Sequence, residues 1–107
     1  MKIAIAAEGR EPGSSMAKVF GRCPYFLVAD TETLRFVPHV NPARGASEGS
    51  GLVAARFVVD QGVKVVIAPR VGPLARSALD RCGLRVHLRQ GGTAAEALAA
   101  FLDTEPP

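Results

Sequence analysis

The chain has 107 residues, 48% of them hydrophobic and 21% charged, with a formal net charge of +3. That length and balance predict one soluble globular domain whose core needs no disulfide or metal staple, and they exclude a disordered chain. No apolar run approaches the ~20 residues that span a bilayer, and the cations are dispersed rather than interleaved with aromatics, which argues against nucleic acid.

Residues 1–7 have the apolar character of a signal sequence but are too few, and acidic Glu8 follows at once. The stretch reads instead as a strand, Lys2–Ala7, buried on both faces of a sheet in a cytoplasmic protein. An irregular connection over 8–18 follows; loops of that length in small domains are usually functional or mobile. Residues 25–29 form a second strand. The turn at 30–33 returns the chain into a third strand over 34–40, making an antiparallel hairpin, and Asn41-Pro42 closes this first half of the chain.

From there helix and strand alternate. A glycine- and serine-rich loop over 43–51 leads to a mostly apolar helix over 52–61, stopped by Gly62, with Arg56 and Asp60 predicted to pair on its wet side. Val63–Ala68 is strongly β-branched and reads as a central strand. Gly72-Pro73 opens a second helix and Gly83 ends it. Residues 84–89 alternate, which predicts a half-buried strand with Arg85, His87 and Arg89 outward. Thr93-Ala94-Ala95-Glu96 is a capping box that starts a last helix to about Leu102. The domain is expected to span 1–103, with 104–107 a frayed tail.

The order β-β-β-α-β-α-β-α predicts a three-layer α/β domain on a mixed five-stranded sheet. Ligands of such sheets sit beyond the carboxyl ends of the parallel strands, where the loops 8–18, 44–51 and 70–72 are expected to converge. Ser47 to Gly51 leads into one helix and Gly72 into the next. Their backbone N–H groups either hold an anion, at Gly49, Ser50, Gly51 and Gly72, or serve ordinary N-caps. Arg10, Arg22, Arg44 and Arg70 lie in neighbouring loops and favour the anion.

Between the first two strands stands Phe20-Gly21-Arg22-Cys23-Pro24-Tyr25-Phe26, which holds three of the chain's six aromatics. Beside Arg22, Cys23 reads either as a thiolate of lowered pKa able to ligate iron or as a small hydrophobe filling space. His39 is a candidate metal ligand, Cys82 a packing residue and His87 an exposed histidine. Cys23 and Cys82 make neither a CxxC pair nor a zinc set. The first strand carries no carboxylate and only Glu8 at its exit could serve, which argues against a two-metal nuclease.

In this order the pieces resemble the dinitrogenase iron–molybdenum cofactor biosynthesis family. The resemblance rests on Met1 to Ala6, on Val19-Phe20-Gly21-Arg22-Cys23-Pro24-Tyr25-Phe26, and on Asn41-Pro42. It continues through Gly49-Ser50-Gly51, Gly62 to Ala68, Val71-Gly72-Pro73 and Gly92 to Leu98. It implies a ribonuclease-H-like fold. It also implies a non-enzymatic carrier for an anionic iron–molybdenum or iron–sulfur cluster, or a precursor, exchanged with donor and acceptor proteins. Many relatives carry His where this chain has Val19, and often Ala where it has Cys23. The alternative is a regulatory or scaffolding domain that binds a small anion or a protein partner and has lost the cluster.

Overall fold

The computed structural model describes residues 1–46 and 48–104. The strands are β1 (Lys2–Ala7), β2 (Tyr25–Asp30), β3 (Phe36–Val40), β4 (Val63–Ala68) and β5 (Arg85–Leu88); the helices are α1 (Ser50–Asp60), α2 (Pro73–Arg81) and α3 (Ala94–Thr104). They form one five-stranded sheet in the order β3-β2-β1-β4-β5. β2 pairs antiparallel with β1 and β3, whereas β1–β4 and β4–β5 are parallel. The expected α/β architecture and mixed sheet are therefore present.

Alternation along the strands divides the interior in two. Ala4 and Ala6 of β1 face Ala54, Ala55 and Val58 of α1 and Ala75 and Leu79 of α2. Ile3, Ile5 and Ala7 face Ala97, Leu98 and Phe101 of α3. The sheet is thus the middle of three layers, and β1, β2 and β4 are apolar on both faces because both are covered. Pro38 falls on β3, an edge strand, where a missing N–H does least harm.

Helix signals act locally and are realised. In the capping box, Thr93 N–H donates to Glu96 Oε1 at 2.9 Å and Glu96 N–H donates to Thr93 Oγ1 at 3.1 Å. These bonds hold the Glu96 carboxyl below its ordinary pKa. Pro73 opens α2, and Gly83 follows it with φ 79°.

Several expectations change. The third strand begins at Phe36, because Leu34 takes φ 60° and its N–H donates to Asp30 O, so the turn runs two residues further. α1 begins at Ser50, earlier than expected, with Gly49 at φ 68° before it. Asp103 and Thr104 remain helical, and the rest of the expected tail, 105–107, lies outside the described residues, as does Ser47. On β5, His87 does not face solvent: its ring meets Phe101 edge-on at 5.2 Å, and the Arg85 guanidinium lies 5.6 Å from the same ring. α3 covers that face. Cys82 is exposed rather than packed. Arg56 and Asp60 form no ion pair, whereas Arg76 and Asp80 do, at 3.7 Å.

Candidate functional site

The Phe20–Arg22 segment is a single 3-10 turn that ties the carboxyl end of β4 to the start of α1. Phe20 N–H donates to Arg70 O at 2.9 Å, just past β4. A Cβ on Gly21 would stand 2.8 Å from the Gly51 nitrogen and 2.9 Å from its Cα, so the turn rests backbone to backbone on the first residues of α1. No side chain can yield there. Gly21→Ala is therefore expected to cost about 1–3 kcal/mol of stability by chemical denaturation; a loss below a few tenths would show that α1 can shift.

Two hollows open around this junction. One, of about 450 Å³, lies at the ends of β4 and β5 and is lined by Lys18, Val19, Arg70, Gln90 and Gly91, among others. Gln90 is fixed by donating from Nε2 to Pro69 O at 2.8 Å. The other, of about 260 Å³, is lined by Gly49, Ser50, Gly51 and Gly72 with Pro73 and Leu74. Neither α1 nor α2 has a side-chain cap on its first turn. Their leading N–H groups thus carry the partial positive charge of a helix start without an internal acceptor. Four of the residues predicted from sequence share one hollow, and Arg70 lines the other beside Lys18, which sequence reasoning did not single out.

Cys23 follows the second of its two readings. It is 1% exposed within the core on the α1 side. Its thiol donates to Phe20 O at 3.3 Å, and burial pushes its pKa up to about 12 although Asn41 and the backbone near Ala7 pull it down. Arg22 is exposed and does not lower it. The thiolate expectation is therefore corrected: at neutral pH this is a protonated, enclosed thiol, and the small-hydrophobe reading describes its packing.

His39 does not join Cys23. Its ring sits edge-on to Phe57 of α1 at 5.7 Å, and it lines a separate hollow with Lys2, Asp30 and Arg35. Among the described residues no three His, Cys, Asp or Glu side chains gather as a metal site. The other arginines also separate. Arg10 and Arg44 approach the Tyr25 ring at 6.0 and 5.6 Å, so Tyr25 is a platform for two guanidinium groups.

Asn41, noted in sequence as the close of the first half and as part of the family resemblance, organises the inside of the junction. It is fully buried. Its Nδ2 donates to Gly21 O at 3.2 Å and Cys23 O at 2.9 Å, its Oδ1 accepts from Ala43 N–H at 2.9 Å, and its own N–H donates to Pro24 O at 3.0 Å. The signal was Asn-Pro directly after a strand, a pairing that marks a turn.

The model of the dinitrogenase iron–molybdenum cofactor family matches residues 1–104. The chain belongs to that family. Among solved structures it is similar to the apo form of the orange protein from Desulfovibrio gigas, with TM-score 0.90 and 33% identity, covering 99% of this chain and 90% of that one. It is also similar to a Thermotoga protein described as a putative NifB protein, with TM-score 0.83 and 31% identity, covering 96% and 88%. An uncharacterised protein of Methanocaldococcus jannaschii is 26% identical over 106 residues, which are 96% of this chain and 86% of the relative. These matches each span 96% or more of this chain, and the junction at Phe20–Arg22 lies inside the region the family model matches. No helix among the described residues is long and apolar enough to cross a membrane.

Proposed function

We propose that this family member is a non-enzymatic carrier that holds an anionic metallocluster, of iron–molybdenum or iron–sulfur type, or its precursor, for transfer between donor and acceptor proteins. The observation that carries the reading is the pairing of Lys18 and Arg70 in a hollow at the carboxyl ends of the parallel strands, next to two helix starts without side-chain caps. Such a surface is complementary to negative charge. With Cys23 buried and protonated, the cargo brings its own inorganic ligands and is held by charge and backbone N–H groups. That mode also suits release, since no protein–metal bond has to break. The strand order, with β2 the one reversed strand, supports the ribonuclease-H-like assignment.

The test is anaerobic gel filtration after incubation with iron and sulfide, and separately with isolated iron–molybdenum cofactor. Coloured cargo should co-elute with the protein and be lost on raising the salt, because exposed charges are screened within about 10 Å at 0.1 M. Lys18→Glu with Arg70→Glu should abolish retention, whereas Cys23→Ala should keep it. Retention that survives the double charge reversal, or that vanishes with Cys23→Ala alone in a folded protein, would overturn this mode of holding.

A second reading is favoured by Val19, an apolar residue on the wall of the same hollow. In it the domain binds a small anion or a protein partner in a regulatory or scaffolding role. Stabilisation by organic phosphates, with no retention of either metal cargo, would select it; a ligand present at a hundred times its dissociation constant adds about 2.7 kcal/mol.

A further inference from the structure

The outward side of α1 carries large apolar residues beside its charges where a solvated helix would be polar throughout. Leu52 and Val53 are each 45% exposed, and Phe57 is half-buried beside them. Leu52, Arg56 and Asp60 stand four residues apart and form one row, with a groove of about 450 Å³ on one flank and about 330 Å³ on the other. A row of that spacing with grooves beside it is the shape by which two helices pack into each other.

The charges on the row say what fits. Arg56 and Asp60 repeat the spacing of Arg76 and Asp80 on α2, yet the α2 pair closes to 3.7 Å and the α1 pair does not. The α1 charges are thus left available on an apolar face. They are opposite in sign, equal in number and one turn apart, so the face is complementary to itself. We propose that α1 is the interface of a two-fold homodimer in which the helices run antiparallel. Arg56 of each copy lies beside the partner's Asp60 across the two-fold axis. A closed two-fold contact uses the same patch twice and leaves no copy of it exposed. A contact centred on one helix pair falls at the small end of the interface range, below about 1,200 Å² in total, so the dimer exchanges with monomer as concentration falls.

Sedimentation equilibrium over a wide concentration series tests this on the intact chain. The wild type should show a reversible monomer–dimer equilibrium. Arg56→Asp alone and Asp60→Arg alone each set like charges against each other twice, and each should weaken the dimer about tenfold or more. The double variant Arg56→Asp with Asp60→Arg restores opposite pairing across the two-fold and should recover most of the affinity. Circular dichroism checks that all three remain folded, and Leu52→Asp supplies an independent disruption. A monomer at every concentration overturns the proposal and leaves the face to another kind of partner. A dimer indifferent to both single reversals, or one that the exchanged pair fails to rescue, overturns it too.

Discussion

Asn41→Ala is expected to be among the most damaging single changes in this chain, costing about 3 kcal/mol or more. The side chain joins three backbone groups, Gly21 O, Cys23 O and Ala43 N–H, at a place with no access to water. Removing it strands all three, and each buried group left without a partner costs about 1–3 kcal/mol. Asn41→Asp keeps the acceptor for Ala43 but loses both donors and adds a charge, so it should be no better. Urea denaturation of both variants measures the effect. A loss under about 1 kcal/mol for Asn41→Ala would mean that the loops re-pair by themselves or admit water, and that Asn41 does not organise the junction.

Cys23 should react with iodoacetamide roughly a thousand times more slowly than Cys82 at pH 8, because reaction needs both the thiolate and access to it. Its pKa is pushed up to about 12 while Cys82 is exposed. The same shift has a consequence for stability whose sign is definite. The unfolded thiol ionises above its ordinary value of 9.0, whereas the folded one stays protonated up to about 12. The unfolded state therefore binds fewer protons across that interval, and stability falls as pH rises through it, by up to about 1.4 kcal/mol per pH unit. Below pH 9 the contribution is fully present. Cys23→Ala should flatten the alkaline limb of a stability–pH profile; a profile unchanged by that substitution, or rapid alkylation of Cys23 in native protein, would contradict the burial described here.

Much of the fold was legible because its signals are local. The β-branched run of β4, Gly72-Pro73 before α2 and the Thr93–Glu96 box each state their structure within a few residues. What escaped depends on distant parts of the chain. Strict alternation on β5 predicted His87 outward, but α3, the last element to be reached, covers that face with Phe101. A cysteine next to an arginine left an ionised thiol and a small hydrophobe both open, but its state is set by enclosure in a core built from several elements, which outweighs the opposite pull of an asparagine 18 residues away. The site was legible in the same uneven way. The glycine-led helix starts stood out by composition and do share a hollow, while Lys18 had nothing around it in sequence to mark it and is placed there only by the path of the 8–18 loop.

The two sides of the sheet also differ in grain. Where β1 meets α1 and α2, the seam itself is made by alanines, Ala4, Ala6, Ala54, Ala55 and Ala75, with Phe20, Phe26, Val58 and Leu79 packed around it, whereas on the α3 side β1 contributes Ile3 and Ile5 against Leu98 and Phe101. An alanine seam has nothing to trim and no room to add, so a single methyl group gained there forces layers apart. The α3 side can instead trade one bulky aliphatic for another at constant volume. The seam should accordingly tolerate enlargement less than the α3 side does, and the helices it binds to β1 are those that begin at the hollow of Gly49, Ser50, Gly51 and Gly72.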